Sequence, residues 1–146
     1  MATGLVRLSR QAVLTALKAD AGVTALVPAA SIHGQSPLSE PTWPFIKLGS
    51  ISFAPLDAAC VAGGVGRIVV HAFAKPIKSG RQVTQTAEDH AGLIQSAIEA
   101  ALHKARLPLA GGTMTLKCIN TDLLVDGAEP EAFHAVTDFR ARVIAA

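Results

Sequence analysis

The fold is decided by residues 79–106, which read SGRQVTQTAEDHAGLIQSAIEAALHKAR. Small and apolar side chains recur there every three or four positions, which places them on one face of a helix. That face contains Val83, Ala87, Ala91, Ile94, Ile98, Leu102 and Ala105. Ser79 and Gln82 have the spacing of a capping box, and Pro108 prevents the helix from continuing. A helix of this length would be roughly 35–40 Å long, enough to cross the sheet of a small domain.

Two further helices and four strands are predicted around this stretch. The first helix lies near the N-terminus, from about residue 4 to residue 18, where apolar residues again follow the helical period. The second is a short turn of helix that Asp20 caps and that runs to about Leu26. The strands are predicted at residues 45–53, 65–74, 114–119 and 132–144. Because the strands come in adjacent pairs, we expect an α+β fold with a mostly antiparallel four-stranded sheet. The long helix and the N-terminal helix pack on one face of it, and residues 1–146 form a single domain.

The face of the sheet without helices is predicted to be basic and in contact with water. The last strand is the clearest case, because its apolar residues alternate with charged ones that include Arg140 and Arg142. Other cations belong to this face if the strands align, namely Lys47, Arg67 and Lys117. Arg140 and Arg142 are therefore our candidates for a solvent-facing surface.

The connection between the first two strands, residues 53–64, reads FAPLDAACVAGG. It is too long for a tight hairpin turn and carries one charged residue. Such an apolar loop either folds back on its own domain or contacts another subunit, and the sequence leaves both open. For the second case, the predicted interface residues are Phe53, Leu56, Cys60 and Val61.

The composition is poor in charge. Asp, Glu, Lys and Arg make up 16% of the chain, against about 25% in ordinary soluble domains. Either subunit interfaces cover part of the surface, or the protein is simply rich in alanine. The formal net charge of +2 is too small to indicate nucleic-acid or membrane binding by itself. No signal peptide or membrane span is predicted.

No catalytic, cofactor-binding or metal-binding residue is predicted. The five histidines are scattered singly, without the short spacings of a metal site. Gly63, Gly64 and Gly66 precede a predicted strand, whereas a phosphate-binding loop must open a helix. No serine has the surroundings of a nucleophile elbow. We therefore expect a protein that is not an enzyme.

The order of these elements resembles the tail terminator or tail completion proteins of long-tailed phages and of gene transfer agents. The resemblance covers nearly the whole chain and depends on order and spacing more than on any single motif. Its first part runs from the opening helix, ending at Asp20, to Ser31, Ile32 and His33. Its second part contains Pro44 to Gly49, the long helix, and a closing hairpin with Asp126, Gly127, His134, Val136 and Phe139.

This resemblance implies a subunit of a ring, by analogy a hexamer, at the head-proximal end of the tail tube. The ring would end tube polymerisation and join the tail to the head, and Arg140 and Arg142 are the candidates for a surface that faces its lumen. Its partners would be copies of itself, the tail tube protein and the head connector or adaptor protein, with DNA only as passing cargo and no membrane. Assembly would take place in the cytoplasm of the bacterial host, and the protein would end in the virion. The family carries no catalytic residues to transfer.

Two alternatives remain open on the sequence. A head completion or connector adaptor protein would also form a ring and would have a similar composition. A small ligand-binding or enzymatic α+β domain belongs to a different class, because a fold does not determine a function. Convergent polar groups in a deep pocket would favour that second alternative.

Overall fold

A long sheet forms the centre of the computed structural model, which describes residues 4–36, 39–58 and 61–146. The strands are β1 (Ile32–His33), β2 (Phe45–Ala58), β3 (Val61–Ala74), β4 (Ile77–Ser79), β5 (Gln82–Gln85), β6 (Arg106–Leu109), β7 (Gly112–Val125) and β8 (Phe133–Ala145). The helices are α1 (Leu5–Ala19), α2 (Ala21–Thr24) and α3 (Ala87–Leu102), with a 3-10 turn at Ala29–Ser31. The mixed α+β class is confirmed.

The sheet has six strands, in the order β1-β2-β3-β8-β7-β6, and not the four that were predicted. All neighbouring pairs are antiparallel except β1 with β2, which are parallel. Both extra strands lie at the edges and are short. β1 contains two residues, and β6 coincides with the end of the predicted long helix and the loop after it. β4 and β5 form a separate hairpin.

Helices α1 and α3 pack on the same face of this sheet, which we call the helix side. Val13 and Leu17 of α1 and Ile94 and Ile98 of α3 are fully buried there. They join one core with alternate residues of the four long strands, which include Ile46, Leu48, Ile68, Val70, Met114, Phe139 and Ala141. No helix in the described part of the chain is long and apolar enough to cross a membrane.

The long helix begins later and ends earlier than predicted. α3 starts after Thr86, whose side-chain oxygen accepts a hydrogen bond from the backbone N–H of Asp89 at 3.3 Å. Glu88 and Asp89 in its first turn complement the helix dipole. The predicted start at Ser79 is wrong, because Gly80 there has a φ of 61° and forms the turn between β4 and β5. The helix therefore spans about 24 Å.

Within the predicted loop at residues 53–64, the described residues 53–58 and 61–64 belong to strands β2 and β3, which corrects the prediction for them. β2 and β3 stay paired from Phe45 opposite Phe73 to Ala58 opposite Val61, with one irregularity after Leu48. Gly63, Gly64 and Gly66, near the start of β3, belong to the sheet. A β-carbon on Gly66 would overlap the carbonyl oxygen of Ser52, and one on Gly63 would overlap that of Val143. Glycine is therefore required by close packing and does not mark a turn.

Candidate functional site

The face of the sheet opposite the helices carries a group of cations and a cluster of aromatic side chains, and we call it the open face. Strand pairing decides which side chains share it. Arg67, Arg140 and Lys117 are opposite one another on β3, β8 and β7. Lys47 and Arg142 fall on the same side by alternation along their strands. The structure therefore brings together the five cations that the sequence assigned to this face.

One end of the open face is a basic groove with a cavity volume of about 630 Å³. Its cationic lining residues are Lys104, Arg106, Lys117, Arg140 and Arg142, and its other lining residues are Leu56, Val65, Thr115 and Leu116. All five cationic residues are exposed. Among the side chains that the structure describes, no carboxylate lies within 4.0 Å of any of them. The groove is thus a concentrated positive surface.

An ion pair marks the boundary of this groove. The guanidinium of Arg67 donates to both carboxylate oxygens of Asp138, with 3.2 Å between Nε and Oδ1. The Asp138 side chain is 8% exposed, whereas that of Arg67 is 58% exposed. The hydrogen bond to Asp138 and its negative charge raise the pKa of Arg67. This cation is therefore already neutralised, unlike those of the basic groove.

The other end of the open face is an aromatic cluster formed by Trp43, Phe45, Phe73, His71 and His134. The Phe45 and Phe73 rings stack with 4.7 Å between centroids, and Phe73 stacks on His134 at 4.2 Å. Trp43 meets Phe45 edge-on at 4.9 Å, and the Lys75 ammonium lies 4.7 Å from the Trp43 ring centre. Trp43 therefore covers the end of this cluster.

His71 and His134 share a hydrogen bond, with 2.6 Å between Nδ1 of His71 and Nε2 of His134. Such a bond needs at least one unprotonated nitrogen. Burial lowers the pKa of His71 to about 4, assisted by the charges of His134 and Lys47 and opposed by Asp138. Burial also lowers the pKa of His134. Both rings are therefore neutral at pH 7.

Two strands of the sheet have long outer edges. β1 covers β2 only at Ile46 and Lys47, and β6 covers β7 only from residue 112 to residue 115. Within the described ranges, residues 50–58 of β2 and 119–125 of β7 have no strand on their outer side. In the β7 segment, Leu124 and Val125 are 51% and 66% exposed. Unpaired strand edges with apolar side chains are typical of surfaces that another chain covers.

Comparison with known proteins identifies the family of this molecule. The sequence matches the family described as tail completion protein gp17 over residues 11–144. The chain belongs to the tail completion protein gp17 family. No curated protein matches it in sequence. As a member of this family, it is a structural protein of a phage-type tail.

The fold of this tail completion family member also resembles a chain of known structure. That structure is described as the virion of a native gene transfer agent particle. The sequences are 22% identical, the TM-score is 0.77, and the alignment covers 98% of this chain and 99% of the other. At this identity the match establishes a shared fold along the whole chain.

Of the predicted interface residues, Phe53 and Leu56 lie on opposite faces of the sheet in this family member. Phe53 is half-buried and packs against the core on the helix side. Leu56 lies on the open face, where it lines the basic groove beside Arg140 and Arg142. Cys60 lies outside the described residues, and of Val61 only the backbone is described, as the first residue of β3. Arg140 and Arg142 are both exposed on the open face and line the basic groove.

Sequence reasoning missed two parts of this site. Lys104 and Arg106 join the basic groove, but the sequence placed both on the long helix. His71 and His134 were treated as single histidines, although both stand on the outward side of predicted strands. Only the register of β3 with β8 brings the two together. Within residues 4–36, 39–58 and 61–146, no three His, Cys, Asp or Glu side chains form a metal site.

Proposed function

We propose that this protein assembles as a ring, by analogy with six subunits, that caps the head-proximal end of the tail tube. The ring ends tube polymerisation and joins the tail to the head. One observation carries the proposal: the two uncovered strand edges, on β2 and β7, lie on opposite sides of the same sheet. A ring closes through heterologous contacts, which need two different complementary surfaces on each subunit.

The direction of the strands supports pairing between these edges. Three antiparallel steps separate β2 from β7, so the two edge strands run in opposite directions. A neighbour related by rotation about the ring axis would present its β7 antiparallel to β2. The backbone groups of both edges would then form hydrogen bonds, and the sheets would join into one.

The interface we propose has two halves. One half is the β2 edge at the end of the β2–β3 hairpin, where Phe53, Leu56, Cys60 and Val61 occur in the sequence. The other half is the β7 edge with Leu124 and Val125, whose burial against a neighbour would remove apolar surface from water. This arrangement gives the charge-poor composition a physical reason.

The two rims of such a ring differ, since every subunit points the same way. One rim matches the last ring of the tail tube protein, and the other offers no equivalent surface to a further tube subunit. That second rim meets the head connector or adaptor protein. DNA passes through the lumen. The likeness in fold to a chain of a gene transfer agent virion supports a place in such a particle, reached by assembly in the cytoplasm of the bacterial host.

The interface is tested by the mass of the purified protein, measured by light scattering over a range of concentrations. The variant Leu124→Lys/Val125→Lys places charges on the β7 edge and is expected to lower the mass to that of one subunit. The control Ile77→Lys/Val83→Lys changes similarly exposed apolar residues of the β4–β5 hairpin and keeps the ring. A ring that survives the first variant contradicts the proposed edge.

The capping role is tested in particles that lack the protein, examined by electron microscopy. Tails of uncontrolled length are expected, because nothing then stops the addition of tube subunits. Tails of normal length beside DNA-filled heads that have lost their tails would favour the head connector adaptor instead. Particles that look normal throughout would contradict both roles.

A further inference from the structure

We infer that the basic groove binds the phosphate backbone of double-stranded DNA without reading its sequence. Five exposed cations line it, and within the described side chains none of them has a carboxylate within 4.0 Å. The nearby Arg67 shows the contrast, because Asp138 already neutralises it. Like charges gathered on one surface repel one another unless an anion covers them. The inference does not depend on the ring, because one subunit contains the whole groove.

The cations are spread over an area and do not form a single point of charge. Arg140 and Arg142 are two residues apart on β8, which separates their α-carbons by about 6.6 Å. Arg142 is opposite Thr115, and Thr115 is opposite Arg106 on the next strand. Two strand spacings of about 4.8 Å therefore separate Arg142 from Arg106. A chain of phosphates can contact cations spread over this area, whereas a single small anion would require their side chains to converge on one point.

The lining of the groove favours DNA over an acidic protein. The centres of protein interfaces are poor in charge and contain aromatic or other large apolar anchors. Here the charged residues form most of the lining, and its apolar part comes from half-buried Leu56 and Val65 and buried Leu116. Contacts between phosphates and Arg or Lys need no apolar anchor, because released counterions drive the binding.

The shape of the groove explains why sequence is not read. Bases are recognised by a helix or a two-stranded ribbon that enters the major groove of DNA. Four of the five cations of the basic groove instead stand on strands within a sheet, with neighbouring strands on both sides of β8, and Lys104 lies in the turn between α3 and β6. Their long exposed side chains reach phosphates at the outside of the duplex. Such contacts position DNA and carry no sequence information.

The test is a titration of fluorescent duplexes of about 30 base pairs, roughly three helical turns. Fluorescence anisotropy is measured at several salt concentrations with protein up to about 100 µM, the weak end of non-specific binding. The variant Arg140→Gln/Arg142→Gln is expected to bind about tenfold more weakly or worse. It is also expected to reduce the slope of log K against log salt by about two.

The matched control is Arg7→Gln/Lys18→Gln, which removes the same charge from exposed positions of α1. It is expected to bind DNA almost as the unmodified protein does. Arg140→Lys/Arg142→Lys keeps the charge and is expected to retain most binding, and two duplexes of unrelated sequence are expected to bind equally. A second loss variant, Arg106→Gln/Lys117→Gln, takes the place of the first if that one does not fold.

Three results would overturn the inference. The first is no measurable DNA binding by the unmodified protein at low salt. The second is an equal loss of binding in the groove variant and the α1 control, which would mean that net charge alone attracts DNA. The third is binding of a poly-glutamate peptide that depends on the groove and is tighter than binding of the duplex, since the partner would then be an acidic protein.

Discussion

The two faces of the sheet are made from the same strands, yet they differ in almost every physical respect. On the helix side, residues such as Phe139 and Ala141 are fully buried in one continuous apolar core. On the open face, Arg140 and Arg142 alternate with them along β8 and are exposed. Neighbouring residues of one strand therefore have different roles, because one side chain is buried in the core and the next is exposed and available for binding. Substitutions of adjacent residues can test this separation directly.

The largest expected effect is that of Phe139→Ala. Phe139 has no exposed surface, and removing its ring leaves a cavity between the sheet and the helices. Such truncations cost about 3–5 kcal/mol of the free energy of unfolding. The neighbouring Arg140→Ala is the control and should change it by less than about 0.5 kcal/mol. Urea denaturation measures both, and similar losses in the two variants would show that the faces are not energetically separate.

The next largest effect concerns how closely the helix side is packed. Gly66→Ala would force a methyl group against the Ser52 carbonyl oxygen and the Phe53 ring. Strand β3 would have to shift, and overpacking of this kind costs about 1–3 kcal/mol.

The same substitution at Gly92 provides the control. Gly92 lies within α3 and has open space around its α-carbon, so Gly92→Ala should stabilise the protein by roughly 0.5–1 kcal/mol. Thermal unfolding of both variants should show a lower melting temperature for Gly66→Ala and a higher one for Gly92→Ala. A neutral Gly66→Ala would mean that the β2–β3 hairpin is looser than its register indicates.

The separation of the faces also explains which predictions from sequence succeeded. The last strand was predicted at residues 132–144 and is Phe133–Ala145, because apolar and charged residues alternate there at nearly every step. The start of the long helix was predicted wrongly, because Val83 continues the helical period by chance. Local features override that period: the positive φ of Gly80, β-branched Val83 and Thr84, and the cap at Thr86.

What the sequence could not provide is the register between strands. The sequence could predict that five cations share the open face, because that prediction needs only the alternation of side chains along each strand and the pairing of the strands. The histidine pair depends on β3 and β8 aligning so that Phe73 is opposite His134. The prediction of a loop between the first two strands failed for a related reason. Gly63 and Gly66 allow the close approach of the Val143 and Ser52 carbonyl oxygens, which is known only once the strands are placed side by side.

The smallest expected effect is the pH dependence that the histidine pair gives to the open face. In the unfolded chain both histidines have a pKa near 6.5. In the folded protein burial lowers the pKa of His71 to about 4 and also lowers that of His134. Between pH 6.5 and pH 4 the unfolded chain therefore binds more protons, so stability is lost as the pH falls through this window.

The loss due to the pair should be about 1 kcal/mol, a value reduced for the solvent screening of half-exposed rings. Urea denaturation at pH 7 and pH 4.5 measures it as the difference between the unmodified protein and His71→Gln. His33→Gln removes a histidine outside the pair and should keep the full loss. An equal loss in all three proteins would assign the acid sensitivity to carboxylates elsewhere. A smaller loss in His71→Gln alone would mean that the histidine pair on the open face lowers the stability of the fold in acid.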